Sequence, residues 1–301
     1  IKADDKNGFR VIEQSDKGIT LGAAFSSGFT GWTAISLEIA VTGTVGAGYT
    51  SSRFAPNFVT AKKISPLSVP KNGQDLLNEW KVDDNLIFNR SFGLAFNAAV
   101  TSGPLSVGFA AIANSTWEVL IKKLDGKKVL LSYSKIKDKG FVLTGTALVA
   151  GFSMEMIWGK SQSFEYVFDL GETKKAKEIK VAAEFNKGQK KEAVFNDVDA
   201  EAAFMDALRG NLILADQMHR MGGFGVQKLS ENISNSKTKA KGAFVNIPFL
   251  INADFKKGTT YVVSQSRMYD DDTLGEELQA IYSKESSTSG VLSRDSKRVN
   301  L

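Results

Sequence analysis

Three stretches of this chain carry almost no charge, and none of them can be a membrane-spanning helix. Between residues 18 and 52 the only charged side chain is Glu38; between 91 and 117, and again between 140 and 154, there is none. Each run is long enough to cross a bilayer as a helix. Each is also interrupted by Gly, Ser, Thr, Asn or Pro at a density that a helix immersed in hydrocarbon does not carry. With a period of two the same residues become coherent. Leu94, Phe96, Ala98 and Val100 fall on one face and Gly93, Ala95, Asn97 and Ala99 on the other. After a turn at Ser102-Gly103-Pro104, Leu105, Val107, Phe109 and Ala111 oppose Ser106, Gly108, Ala110 and Ile112. The pattern predicts a hairpin with strands of about 11 residues, near the length at which a tilted strand crosses a bilayer. Ile35, Leu37, Ile39 and Val41 head a longer strand, preceded by Ile19, Leu21, Ala23 and Phe25. One face is large and apolar, the other small and weakly polar.

The remaining segments have more ordinary patterning. Trp117, Val119 and Ile121 lead into Asp125-Gly126, a strong hairpin signal, and Val129, Leu131 and Tyr133 return. Residues 141–158 and 164–170 extend the meander. Lys and Glu at helical spacing over 172–191 predict a helix, and 199–221 predicts a second, with Phe204, Leu208, Leu212, Ala215 and His219 on one stripe and Gly222-Gly223 as its stop. Strands resume at Phe224 and over 244–255, with a turn at Lys256-Lys257-Gly258 and a return over 259–266. Acidic residues at the start of 270–282 predict a short helix there. The longest loop spans 56–73. The fold class that follows is mainly β: one domain over 1–301, a large antiparallel meander of about 10–11 strands forming a barrel or wide sandwich, with a helical insertion near 172–223.

Composition removes most enzyme chemistries. Cysteine is absent and histidine occurs once, at His219, so thiol nucleophiles, disulfides, Cys-based zinc sites and imidazole clusters are excluded. The short motifs fail in turn. Gly159-Lys160-Ser161 lacks the upstream glycine of a phosphate-binding loop, which is Met154 here. Gly43, Gly46 and Gly48 have the wrong spacing for a dinucleotide fingerprint, so close backbone packing or a small, lumen-facing surface is the better reading. Asp270, Asp272 and Gly275 meet Leu274 and Ile281 where a calcium loop needs ligands. Ser132 with Lys135, and Ser234 with Lys237, have an acyltransferase spacing that on a strand sends the two side chains to opposite faces. His219 shares its stripe with Phe204, Leu208 and Leu212 and reads as structural. No cofactor and no metal site is expected.

The net charge is +5 and the pI about 9.1. The lysines at 122–128 read as a hairpin tip and those at 174–180 as a solvated helix face, neither with a stacking aromatic, so nucleic acid is not an expected partner. The chain opens on Ile1 and holds no cysteine, which fits an exported protein after loss of a leader. The expectation is a non-enzymatic protein of the bacterial outer membrane or periplasm, whose uncharged strands form a membrane-spanning barrel or pore-like sheet. Leu94, Phe96, Val100, Leu105, Val107, Phe109, Ile35, Leu37, Ile39 and Val41 would face lipid, and Trp32, Tyr49 and Trp117 would be interfacial aromatics. Its partner would be membrane lipid, with protein partners unassigned. The competing readings are a soluble β-sandwich or barrel that turns the same apolar face inward onto a lipid-like ligand, and an enzyme whose carboxylates are not locatable in the sequence.

Overall fold

The computed structural model describes residues 2–4, 8–29, 35–185, 189–247, 251–269, 274–290 and 294–300. Trp32 and the acidic run at 270–273 lie outside them. Eleven strands form one antiparallel sheet: β1 (Lys2–Asp4), β2 (Gly8–Phe29), β3 (Ile35–Ala55), β4 (Asn85–Ser102), β5 (Leu105–Lys123), β6 (Lys128–Ala147), β7 (Ala150–Asp169), β10 (Val226–Ile247), β11 (Ile251–Tyr269), β12 (Leu274–Gly290) and β13 (Arg294–Asn300). The order follows the chain from β1 to β7 and then passes directly to β10, and β1 and β13 are the two edges. Between β3 and β4 lie the short helices α1 (Phe58–Ala61) and α2 (Gly73–Glu79). Between β7 and β10 lie the hairpin β8 (Ala176–Phe185) and β9 (Gln189–Val198), followed by α3 (Ala200–Leu208) and α4 (Ile213–Met221).

The meander is as expected, but its strands are about twice the predicted length. β4 and β5 have 18 and 19 residues and pair without a break from Asn85 with Lys122 to Ser102 with Leu105. Their hairpin closes at Gly103, whose φ of +54° suits a residue without a Cβ, and Asp125-Gly126 closes the other end of β5 with Gly126 at φ +64°. The expected run over 141–158 is in fact divided at Leu148-Val149 between β6 and β7, and Lys256-Lys257-Gly258 lies inside β11 rather than in a turn. The predicted helix at 270–282 is also overturned. From Leu274 onward the chain is β12, paired residue by residue with β11 as far as Gly290 with Ala253. Leu274, Leu278 and Ile281 have helical spacing but no core to bury them, and the edge of β11 satisfies their backbone instead.

Only half of the insertion is helical. Within the first half the chain forms the antiparallel pair β8 and β9, in which Ile179 and Val181 are buried while Lys180 pairs with Glu178 at 2.8 Å on the outside. The helix over 199–221 is real at both ends: Asp199 caps Ala202 at 3.0 Å, and Gly222 at φ +68° ends it. Gly210, at φ +87°, breaks it in the middle and leaves Leu212 between α3 and α4. The 56–73 loop is pinned by Arg53, which donates to Ser65 O at 3.3 Å and, beyond the loop, to Glu79 O at 2.9 Å and to the wholly buried Asp84 carboxylate at 3.1 Å.

The hydrophobic core sits at one end of the sheet, on one face. Val119, Ile121, Val129, Leu131, Tyr166 and Phe168 point from β5, β6 and β7 into a cluster completed by Phe204, Leu214, Met218 and Ile179. We refer to this as the capped end and the capped face. The hairpin tips near 103–104 and 148–149 form the distal end, and the register keeps them flush: Leu105 pairs with Ala147, and Ala147 with Ala150. Over most of the distal half, nothing in the described chain covers the sheet.

Candidate functional site: a bare apolar band bordered by lysines

Strand pairing sets all the predicted lipid-facing residues on the capped face. Leu37 pairs with Val100, Ile39 with Ala98, Val41 with Phe96, Val100 with Val107, and Ser102 lies between Ile35 and Leu105. Leu94, Phe96, Val100, Leu105, Val107 and Phe109 are all exposed, as are Ile35 and Val41, while Leu37 and Ile39 are half-buried among them. The band widens beyond the expected residues to Leu21 and Phe25 on β2, 73% and 60% exposed, and to Phe152 on β7. Glu38, the one charge in the first uncharged run, belongs to the opposite face. That opposite face is small because neighbouring side chains close over its glycines: a Cβ on Gly93 would lie 2.5 Å from Thr44 Oγ1 and 2.9 Å from Asn114 Oδ1.

The tip between β6 and β7 adds an unusual detail. Leu148 is held at φ +47° and is 82% exposed, with its N–H donating to Pro104 O at 3.1 Å on the neighbouring tip. A left-handed turn position in water normally holds Gly, Asn or Asp. A large apolar residue there accepts backbone strain and solvent exposure together.

Two diagonal rows of aromatic rings cross β4 to β7 on the capped face. The capped-end row runs Phe88, Trp117, Tyr133, Phe164, with ring centroids 5.3, 5.9 and 6.4 Å apart. The distal row runs Phe96, Phe109, Phe141, Trp158, at 6.3, 6.2 and 6.0 Å. Each row ends against a lysine of β10. Lys228 Nζ lies 5.0 Å from the Phe164 centroid and Lys237 Nζ 5.9 Å from the Trp158 centroid. Trp117 therefore stands inside β5 at the border of the core rather than at a strand end. Tyr49, whose hydroxyl donates to Glu13 at 3.0 Å, packs against the same core.

Lys228 anchors the capped end. It is buried, and its ammonium donates to Asp216 at 2.9 Å on α4 and to Glu231 at 2.8 Å on its own strand, at a β-bulge between Lys228 and Ser230. Burial pulls its pKa down, but hydrogen bonds to Glu231 and Asp216 outweigh that and hold it above the ordinary lysine value. Tyr166 donates to the same Asp216 at 2.7 Å, and burial together with that carboxylate raises the phenol. His219 accepts the Lys228 backbone N–H at 3.3 Å and meets Tyr269 edge-on at 5.2 Å. Burial, and then the Lys228 charge, lower its pKa. The two carboxylates are occupied in fastening α4 to the sheet.

Sequence reading missed one grouping altogether. The lysines scattered along the chain converge in space, because alternate residues of a strand share a face. Lys135, Lys137 and Lys139 of β6, Lys160 of β7, Lys237, Lys239 and Lys241 of β10, Lys257 of β11 and Lys284 of β12 all project from the capped face, beside the apolar band. The signal was present as Lys-x-Lys-x-Lys at 135–139 and 237–241. A cavity of about 610 Å³ opens among them, lined by Phe92, Ser115, Lys137, Lys139, Trp158 and Lys160. No helix is long and apolar enough to cross a membrane among the described residues. Comparison with protein-family models, with curated proteins and with solved structures finds no match to this chain.

Proposed function

We propose that the protein is a non-enzymatic, exported β-protein of a bacterial envelope that enters lipid bilayers with the distal half of its sheet as a pore-like sheet, while the capped end stays in water. The observation that carries this reading is the bare apolar band. The charge-free lengths at 91–102 and 105–117 each hold about a dozen residues, roughly 40 Å of strand, which at a tilt near 45° gives about 28 Å of height. That matches the apolar belt of a membrane β-sheet, in which only alternate residues need be apolar.

The lysine-bearing strands argue for a partly inserted sheet over a single-chain barrel with lipid all round. In such a barrel, Lys239, Lys241, Lys257 and Lys284 would face hydrocarbon, at about 2–4 kcal/mol each near the midplane. The soluble-carrier reading is less favoured, since the cavity on this face is flanked by lysines rather than enclosed by the apolar band. Flotation with phosphatidylcholine vesicles in the absence of detergent tests the proposal. The chain is expected to rise with the vesicles and to lose light-scattering monodispersity without them. A monodisperse protein that stays in the aqueous fraction overturns it.

A further inference from the structure

The lysine belt is one-signed across β6 to β12, the five strands that build it. On the capped face, the described strands β2–β12 of the main sheet carry the carboxylates Glu13, Glu231 and Glu276, all near the capped end, with Glu231 hydrogen-bonded to Lys228 and Glu276 to Arg267, and the edge strand β13 adds Asp295 opposite Thr288. Beyond Glu13, Glu231 and Glu276 toward the tips, the described strands β2–β12 carry only cations on this face. Two pairs oppose each other directly across strands, Lys137 with Lys160 and Lys241 with Lys257, an arrangement that destabilises a sheet unless a counter-charge arrives from outside. Lys139 and Lys237 flank Trp158 on either side, on β6 and β10.

The belt begins where the apolar band stops, and the border between them is slanted. Counted from the level shared by Ser102, Leu105, Ala147, Ala150, Val245, Ala253 and Gly290, the first capped-face charge is Arg90 on β4, about 12 residues in, Lys123 on β5, about 18, Lys139 on β6, about 8, Lys160 on β7, about 10, Lys241 and Lys257 on β10 and β11, about 4, and Lys284 on β12, about 6. From Arg90 on β4 to Lys257 on β11 the border thus falls, unevenly, by roughly 26 Å along the strands over roughly 24 Å of sheet width, an inclination of about 45°. Strands of membrane β-sheets are tilted by a similar angle.

We propose that this belt docks onto the phosphate groups of an anionic lipid leaflet, with Trp158 at the border between headgroups and hydrocarbon and the strands entering at roughly 45°. The inference rests on the membrane reading above and gives it a lipid preference. A leaflet presents phosphate beside hydrocarbon, which is what a cationic belt contiguous with an apolar band complements. A nucleic acid presents phosphate beside water and would leave the band bare.

The full chain and the variant Lys137→Gln/Lys160→Gln/Lys241→Gln/Lys257→Gln would be floated with vesicles of phosphatidylcholine alone and with a minority of phosphatidylglycerol, at low and high salt. The wild type is expected to prefer the anionic vesicles at least tenfold, with the preference fading in high salt. The variant is expected to lose most of that preference for anionic vesicles, to bind neutral ones as before, and to melt no lower than wild type in lipid-free buffer. Equal binding of wild type and variant to anionic vesicles overturns the belt while leaving the membrane reading intact. Failure of the wild type to bind either vesicle, with retention on immobilised duplex DNA, overturns both.

Discussion

The two aromatic rows are built by the same four strands on the same face, roughly 26 Å apart along the chain direction, and they end in opposite circumstances. Around the capped-end row, Val119, Leu131 and Tyr166 disappear beneath α3, α4 and the β8–β9 hairpin, and Lys228 is fastened by two carboxylates. Around the distal row, Leu94, Val107 and Phe109 are open, and Lys237 is flanked across the strands by Trp158 and Tyr261. A sheet gains little stability from an apolar face until something covers it. Here the described chain covers one half and leaves the other bare.

The sharpest test of that contrast is a matched pair of truncations. Phe204 is wholly buried and meets Phe168 at 5.5 Å, so Phe204→Ala is expected to cost about 3–5 kcal/mol in detergent-free urea unfolding. Phe109→Ala, at a site 40% exposed, should cost under about 1 kcal/mol in the same assay. Equal losses would mean that the distal face is already covered in solution. Charge insertion reverses the ranking in lipid. Phe96→Lys and Phe109→Lys should each weaken vesicle binding by about 2–4 kcal/mol, whereas Asn97→Lys, on the opposite face, should change it by less than about 1. Three similar losses would break the assignment of faces.

Lys228→Met probes the anchor and should destabilise the capped end by roughly 2–3 kcal/mol, since Asp216 and Glu231 lose their counter-charge but Asp216 keeps some access to water. Vesicle binding per folded molecule should not change. At the tip, Leu148→Asn relieves a left-handed leucine and is expected to stabilise the protein in water by about 0.5–1 kcal/mol while weakening its hold on lipid. A gain in both would remove the tip from the lipid contact. The smallest effect concerns pH. The folded state keeps His219 neutral, so its contribution is complete above the ordinary imidazole value of about 6.5 and is lost as pH falls from there through the lowered folded-state value. A melting series from neutral to mildly acidic pH should fall less steeply for His219→Gln; parallel slopes would place the sensitivity elsewhere.

The meander and its apolar face were legible in the sequence because alternation is a local signal, carried by triplets such as Leu94, Phe96 and Ala98. Strand length was not. The predicted hairpin stopped near Ser91 and Trp117 because charge returns there, but a strand continues through charged residues when a neighbour holds its backbone, as Glu118 opposite Asn89 shows. The turn at Leu148-Val149 gives no turn chemistry to detect. β8 and β12 carry helical spacings that pairing overrode, through Ile179 and Val181 buried in the core and through the β11 edge beside Leu278. Of the candidate site, the apolar residues were visible one strand at a time. The lysine belt was not, because its members come from five strands that only the sheet order brings together.

The connections of the sheet are unequal at its two ends. All the long ones, including α1, α2 and the whole β8-to-α4 insertion, return at the capped end, while the described distal connections are two residues each, Gly103-Pro104 and Leu148-Val149. On the proposed route into a bilayer, what must pass through hydrocarbon ahead of these strands is therefore a row of blunt, uncharged turns, one of them short of an N–H because of Pro104. No folded cap has to be dragged across or unravelled. The barrier to insertion would then be set by how many hairpins enter together, which makes entry a cooperative event whose rate rises steeply with the amount of sheet already paired.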